Sequence, residues 1–222
     1  MPDLGKLTPA ERASQLGKPE GEVGIAIGEF LNRNNCQVID ATYRCLELLD
    51  GMNVLEVGFG NGHTVPELLA HANRLQYTGI EISETMLHEA VRFNRTLVDS
   101  AQATFRLASV EAIPCMDASF DRVVAVNVIY FLADPGPALR EIRRVLRPSG
   151  FSVIASIDPS SAESAPFAKA EFGFHVWDSS TLVALHRAAG FRKVEVLPHE
   201  EIATRPDGTP WPRHYNLIIA KP

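Results

Sequence analysis

The most informative stretch of the chain is Val54-Leu55-Glu56-Val57-Gly58-Phe59-Gly60-Asn61-Gly62, in which an apolar run enters three alternate glycines. A helical pattern follows at residues 65–72. Short apolar runs bounded by turn residues are typical of buried strands. Glycines let a ligand approach the backbone closely, because they carry no side chain and tolerate positive φ. The free N–H groups at the start of the next helix favour binding further, so the stretch predicts a strand, a ligand-binding loop and a helix.

From residue 52 onward, short β-rich runs alternate with helical patterns, which is typical of a parallel sheet covered on both faces. The predicted strands cover Asn53–Val57, Gln76–Ile82, Thr104–Leu107, Arg122–Val128 and Phe151–Ile157. The predicted helices cover Val65–Ala72, Glu84–Val98, Gly136–Leu146 and Ser180–Ala189. Two further β-rich runs, at Arg192–Leu197 and Tyr215–Ala220, have no helix between them and should pair antiparallel. These patterns predict an α/β fold with a doubly wound, mostly parallel sheet that ends in an antiparallel strand.

Residues 1–50 predict a helical N-terminal extension to a domain of residues 51–222, because a segment this short cannot build its own core. Thr8-Pro9-Ala10-Glu11 marks the start of a helix to about Leu16,. Two more helices are predicted at Val23–Leu31 and Val38–Leu49. Residues 17–21 and 34–35 carry glycine, proline or asparagine and interrupt the pattern,. Breaks at both ends of the second helix favour a hinged cover over a ligand site.

Composition limits the classes of function. The chain has 222 residues, 45% of them hydrophobic and 22% charged, as is typical of globular proteins,. A formal net charge of −6 disfavours a large phosphate-binding surface, so we expect no nucleic-acid partner,. The N-terminus lacks the pattern of a secretory signal and no apolar run is long enough to span a bilayer, so a cytoplasmic location is expected,. The spacing of the three cysteines and seven histidines predicts no metal site,.

Glu81 ends the second predicted strand about 20 residues after the glycine loop, where an acidic side chain can accept hydrogen bonds from a ribose diol. Both nicotinamide dinucleotides and S-adenosylmethionine carry such a diol. In the dinucleotide fingerprint GxGxxG, the third glycine falls five positions after the first. Counting from Gly58, that position is His63. A nicotinamide-dependent reductase would also need a motif such as Tyr-x-x-x-Lys, which the sequence does not contain.

Four motifs follow one another in a fixed order over residues 52–157. They are Glu56-Val57-Gly58-Phe59-Gly60-Asn61-Gly62, then Thr78-Gly79-Ile80-Glu81-Ile82-Ser83 with Met86, then Ala108-Ser109-Val110-Glu111-Ala112-Ile113-Pro114 with Ser119-Phe120-Asp121-Arg122-Val123, and finally Glu141-Ile142-Arg143-Arg144-Val145-Leu146-Arg147-Pro148-Ser149-Gly150. The chain resembles the class I, Rossmann-like methyltransferases that use S-adenosylmethionine. The resemblance is to the type 11 branch, which is similar to ubiquinone/menaquinone and other small-molecule methyltransferases.

This resemblance implies methyl transfer from S-adenosylmethionine to a small-molecule acceptor, with S-adenosylhomocysteine as product. It also implies which residues bind the cofactor. The methionine end is assigned to the loop residues Glu56, Gly58, Phe59, Gly60 and Gly62. The ribose is assigned to Glu81, at the end of the second strand. The adenine is assigned to the residues that flank it, Ile82, Met86, Ser109 and Val110. Ser109 stands where the family usually has an aspartate for the adenine amino group.

Asn127-Val128-Ile129-Tyr130 ends the fourth predicted strand, where enzymes that methylate nucleic-acid bases carry N-P-P-Y. Both prolines are missing, so we interpret Asn127 as a cofactor contact, and Tyr130 as a wall of the acceptor pocket and a candidate catalytic residue. His175 lies in an aromatic stretch after the fifth strand and is a candidate general base,. The alternative to an enzyme is a methyltransferase-like domain that binds the cofactor or a partner protein without catalysis.

Overall fold

A computed structural model describes residues 2–162, 165–204 and 209–222. Within these ranges, seven strands form one sheet in the order β3-β2-β1-β4-β5-β7-β6. The strands are β1 Asn53–Val57, β2 Gln76–Glu81, β3 Ala103–Leu107, β4 Phe120–Val126, β5 Leu146–Ile157, β6 Lys193–Thr204 and β7 Pro210–Lys221. Strands β1 to β5 pair in parallel, and β7 is antiparallel to both β5 and β6. The predicted Rossmann-like α/β sheet with an antiparallel C-terminal strand is confirmed.

Helices cover both faces of this sheet. They are α1 Pro9–Gly17, α2 Gly21–Asn34, α3 Cys36–Arg44, α4 Val65–Leu69, α5 Glu84–Phe93, α6 Arg95–Asp99, α7 Gly136–Val145, α8 Pro159–Ala162 and α9 Ser179–Ala188. Helix α1 starts with a capping box, in which Thr8 and Glu11 satisfy each other's backbone N–H groups,. The predicted breaks at residues 17–21 and 34–35 separate the first three helices.

Three predicted boundaries are wrong for local reasons. The helix predicted at Glu84–Val98 is two helices, because Asn94 leaves helical geometry and its amide donates to the carbonyl of Gly62 at 2.9 Å. The strand predicted to reach Val128 ends at Val126, since Asn127 has a φ of 60°. The helix predicted to reach Leu49 ends at Arg44. The first two of these ends depend on a side-chain contact or a backbone angle, which no apolar pattern marks.

The core lies on the two faces of the sheet, and successive residues of each strand alternate between them. Leu55, Val123 and Ile154 pack against α7 and α9. Val54, Val124 and Val153 pack against α3 and α4. Both sets of strand residues are almost completely buried. The carboxyl ends of the strands are thereby held at one edge of the sheet.

Helix α3 packs into this core, whereas α1 and α2 lie over the carboxyl edge of the sheet. Val38 and Tyr43 of α3 are fully buried. Just after α3, the Arg122 guanidinium of β4 donates to the carbonyl of Leu46 at 2.5 Å and to that of Glu47 at 3.3 Å. These bonds anchor the C-terminal part of the extension to the central sheet.

None of the helices in the described ranges combines the length and apolar character needed to cross a membrane. The same residues bring no three His, Cys, Asp or Glu side chains together as a potential metal site.

Candidate active site

A cavity of about 890 Å³ opens at the carboxyl ends of β1, β2, β4 and β5. In doubly wound sheets, ligands bind at this edge where the strand order reverses, which here is the boundary between β1 and β4,. All of the predicted cofactor residues line the cavity except Gly62. The cavity is therefore the candidate active site, and its size falls within the usual range for small-molecule sites.

The three loop glycines all have positive φ, but each serves a different purpose. A Cβ at Gly58 would lie 2.5 Å from the Val128 side chain, and one at Gly62 would lie 2.7 Å from that of Ala90 on α5. A Cβ at Gly60, with φ 57°, would meet nothing within 4 Å. Gly58 and Gly62 thus allow tight packing, while Gly60 leaves open space for a ligand.

The Glu81 carboxylate is buried and lines the cavity at the end of β2. Its Oε1 accepts from the N–H of Ile82 at 2.7 Å and of Ser83 at 3.0 Å, and its Oε2 accepts from the N–H of Gly60 at 3.2 Å. Burial raises the pKa of Glu81, and these three N–H bonds partly oppose the shift. Oε2 has the greater remaining capacity to accept a hydrogen bond, since it has only one partner.

Glu56 is committed to a buried network that the sequence did not predict. Its carboxylate accepts from the hydroxyls of Tyr43 at 2.9 Å and Tyr77 at 2.7 Å. The Tyr43 hydroxyl also lies 2.9 Å from Thr64 Oγ1. Burial raises the pKa of Glu56 and the two tyrosine hydrogen bonds lower it. The network joins α3 to the glycine loop, so Glu56 positions the loop through its tyrosines while also lining the cavity.

The remaining predicted cofactor residues surround the glycine loop. Phe59 packs edge-on against Phe105 with ring centroids 5.0 Å apart. Met86 is fully buried beneath the cavity, whereas Ile82 is 47% exposed at its rim. Ser109, Val110 and Asn127 complete this side.

An aromatic wall formed by Tyr130, Phe131, Phe167 and Phe174 lines the other side of the cavity. The ring centroid of Phe174 lies 5.4 Å from that of Tyr130, 4.7 Å from that of Phe131 and 5.8 Å from that of Phe167. Burial raises the pKa of Tyr130 far above its ordinary value, so its hydroxyl stays protonated. The predicted pocket wall at Tyr130 therefore continues through Phe131 and Phe174, and Phe174 links it to Phe167.

The structure does not bring His175 to the cavity. Its backbone N–H donates to the carbonyl of Tyr130 at 2.6 Å, and its ring stacks beside Trp177 at a centroid distance of 6.3 Å. The side chain is absent from the cavity lining. A general base at His175 thus has no geometric support, because a base must lie within hydrogen-bond reach of the acceptor.

The N-terminal helices form the roof of the cavity, which Leu16, Ile27, Phe30 and Leu31 help to line. The hydroxyl of Ser83, just after β2, donates to the carbonyl of Pro19. The backbone N–H of Gly21 donates to Thr85 Oγ1 at 3.1 Å. These bonds hold the first residues of α2 against the start of α5.

Residues 55–154, which contain the glycine loop and Glu81, match the family model of a methyltransferase domain. These residues form a class I methyltransferase domain. Such domains use S-adenosylmethionine, in agreement with the resemblance seen in the sequence. The matched range ends before the aromatic residues Phe167 and Phe174 and excludes α1 to α3.

The chain is similar to an O-methyltransferase, resE, of Aspergillus sclerotiorum, with 33% identity over 150 residues, or 65% of the chain. The chain spans 56% of the length of that fungal protein. An uncharacterised methyltransferase of Bacillus subtilis, YdaC, is 28% identical over 76% of the chain and 87% of its own length. Among solved structures, phosphoethanolamine N-methyltransferase 2 of Haemonchus contortus, in complex with S-adenosylhomocysteine, has a TM-score of 0.71 at 17% identity. That match covers 97% of this chain and 61% of the other, and it supports the fold alone.

Proposed function

We propose that this methyltransferase transfers the methyl group of S-adenosylmethionine to an oxygen of a small, moderately apolar acceptor. The observation that carries the proposal is that one cavity is lined both by the residues predicted to bind the cofactor and by the aromatic wall. When bound, S-adenosylmethionine supplies a methyl group already activated by its positively charged sulfur. The named relatives that are O-methyltransferases favour oxygen over other nucleophiles.

The residues present fit the cofactor. Gly60 leaves open space beside the backbone, and the buried Glu81 carboxylate has capacity at Oε2 for a ribose hydroxyl. Ile82 and Met86 provide apolar surface for a flat base. Ser109 and Val110 stand beside them, and we assign the adenine end to this side of the cavity.

The acceptor is assigned to the aromatic wall, and the residues there act by placement. Holding two reactants in a near-attack geometry lowers a barrier by about 7–11 kcal/mol in favourable cases. Aromatic rings such as those of Tyr130, Phe131 and Phe174 restrict a flat acceptor to few orientations. The formal net charge of −6 also supports a small molecule over a nucleic acid,.

Residues 1–50 are proposed as an extension whose first two helices, α1 and α2, form a cover, and residues 51–222 as the methyltransferase domain. Helices α1 and α2 supply part of the cavity lining, and their contacts with Ser83 and Thr85 are few and polar. A cover that excludes water strengthens electrostatic interactions inside the site.

A thermal-shift assay followed by a labelled-methyl screen tests this function. S-adenosylhomocysteine should raise the melting temperature and NAD should not. The screen then compares phenols, hydroquinones, amines and thiols, and transfer to hydroxyl acceptors is expected. Failure of S-adenosylhomocysteine to stabilise the protein would contradict the proposal. Binding without transfer to any acceptor would favour the non-catalytic alternative.

A further inference from the structure

A buried arginine lies at the acceptor end of the cavity. Arg213 of β7 is 5% exposed and lines the cavity. Its Nη2 donates to Glu201 Oε1 and to the carbonyl of Asn34, and its Nη1 donates to Asn35 Oδ1 at 3.2 Å. The buried Nε–H has no acceptor among the described residues. Because burying a cation is costly, a guanidinium kept in a ligand cavity with a free donor needs an explanation.

Two protonated tyrosines accompany Arg213. Tyr130 and Tyr215 both line the cavity. Burial raises the pKa of Tyr215 to about 12 against the opposing charge of Arg213, and the pKa of Tyr130 is raised further by the same cause. At neutral pH both hydroxyls therefore remain donors. The groups at this end that hold protons can all donate a hydrogen bond to a ligand oxygen.

The charged cluster at Arg213 continues on β6 with Glu201 and His199. A second arginine that lines the cavity, Arg12 of α1, lies over the Phe167 ring at 6.0 Å from its centroid. The Glu201 side chain has no exposed surface, and its Oε2 lies 3.6 Å from His199 Nε2. Neither atom has a hydrogen-bond partner among the described residues. Glu201 thus uses one oxygen to balance Arg213, so the charge that a ligand meets at Arg213 depends on this carboxylate.

We infer that Arg213, with Tyr130 and Tyr215, forms an acceptor subsite for an anionic oxygen carried on an aromatic ring, namely a phenolate or an aryl carboxylate. The inference rests on the proposed function and names its substrate class. The aromatic wall selects the ring, and the guanidinium selects its charged oxygen. An oxygen that arrives ionised has no proton to lose, which suits a cavity whose described lining contains no histidine,.

Equilibrium binding to the full chain saturated with S-adenosylhomocysteine tests the subsite without any turnover. The probes are 4-nitrophenol above its pKa, 4-nitrobenzoate, and the neutral 4-nitroanisole, which share one ring. We expect at least one anion to bind about tenfold more tightly than 4-nitroanisole, because each hydrogen bond to a charged group contributes appreciably. Tighter binding of 4-nitrophenolate indicates a phenolate acceptor, and tighter binding of 4-nitrobenzoate indicates a carboxylate.

Two variants are expected to change the affinity for the anions in opposite directions. Glu201→Gln removes the counter-charge of Arg213 and should tighten anion binding about threefold or more, with 4-nitroanisole unchanged. The double variant Arg213→Gln/Glu201→Gln keeps a polar amide pair and should reduce anion affinity to that of 4-nitroanisole. Arg187→Gln is the matched control, because this arginine is exposed at the end of α9 and does not line the cavity. Melting temperature and S-adenosylhomocysteine affinity report whether each variant is folded.

Equal affinity of the wild-type protein for all three probes, or for none, overturns the inference. Weaker anion binding by a folded Glu201→Gln variant also overturns it, because the ion pair would then only hold β6 and β7 against the junction of α2 and α3. If the double variant fails to fold, the inference is decided by the preference of the wild-type protein among the three probes and by the anion affinity of Glu201→Gln. An Arg213-dependent preference without S-adenosylhomocysteine binding would contradict the proposed function and leave the anion subsite standing.

Discussion

The two sides of the cavity are built in different ways. The proposed cofactor side is built around backbone groups: loop glycines with positive φ, and the N–H groups of Gly60, Ile82 and Ser83, which hold the Glu81 carboxylate. The acceptor side consists of side chains from distant segments, since Arg213 bonds to Asn35 from 178 positions away in the chain. The family match ends at residue 154 and covers mainly the first side. The proposed site of the methyl donor is therefore encoded locally, whereas the proposed acceptor site depends on how remote segments meet.

The strongest test of the cofactor side is Gly60→Val. A branched side chain would enter the open space beside the loop and strain a residue with φ 57°,. Calorimetric titration should show S-adenosylhomocysteine affinity reduced by about 100-fold or more, or roughly 3 kcal/mol. Gly51→Val is the matched control, because Gly51 has φ 77°, an equally open surrounding and no place in the cavity lining. Similar cofactor affinity in both variants would remove the loop from the site.

Glu81→Ala should have the next largest effect. It removes a carboxylate assigned to the ribose, and hydrogen bonds to charged groups contribute about 1.5–3 kcal/mol each. Cofactor affinity is expected to fall about tenfold or more by titration, with the fold retained by circular dichroism. The control is Glu67→Gln on α4, an exposed position outside the cavity lining. Unchanged affinity in Glu81→Ala would contradict the ribose assignment.

Limited proteolysis extends the comparison to the N-terminal helices. Arg33 is exposed near the end of α2 and is followed by Asn34, so it is a trypsin site, whereas Lys18 precedes Pro19 and is resistant. If α1 and α2 cover the cavity, S-adenosylhomocysteine should slow tryptic cleavage at Arg33 severalfold, because closure suppresses local opening. Cleavage at exposed Arg187 serves as the internal control. The same rate with and without the ligand would mean that these helices are not a cover.

The smallest effect is expected from pH acting on Glu56. Folding raises its pKa above the unfolded value of about 4.3, chiefly through burial,. Its contribution to stability is therefore fully present below about pH 4.3 and is lost as pH rises through the folded pKa. Glu56→Gln lacks this loss, so the stability of the variant relative to the wild type should increase with pH over that window. Denaturant unfolding at several pH values measures the difference, and a constant difference would contradict a buried, ionisable Glu56.

The sequence predicted most of the fold and most of the cofactor side, because both depend on short-range patterns. Strand β1, the glycine loop and Glu81 at the end of β2 follow from apolar runs and spacing within about 30 residues. Because the three glycines are evenly spaced, the sequence predicted the same role for each, but Gly62 packs on α5 and does not line the cavity. Whether each predicted residue binds the cofactor stays a prediction for the variants above.

The acceptor side could not be predicted in the same way. Arg213 belongs to no motif, and the predicted last strand began only at Tyr215, whereas β7 starts at Pro210. The polar residues 199–201 likewise hid the extension of β6 to Thr204. His175 was a candidate because of its residue type and position in the chain, and packing beside Trp177 keeps it away from the cavity. Such outcomes depend on tertiary contacts that a local pattern does not contain.

The junction at Asn35 gives α2 the geometry of a lever. Helix α3 beyond the junction is fixed in the core, while the 14 residues of α2 extend about 21 Å from this pivot,. A rotation of about 15° there would displace the distant end, near Pro19 and Gly21, by about 5 Å. The bonds to Ser83 and Thr85 lie at that distant end and would break first. Arg213, which bonds to Asn35 at the pivot, would scarcely move, so the proposed anion subsite would already be formed before the cover closes.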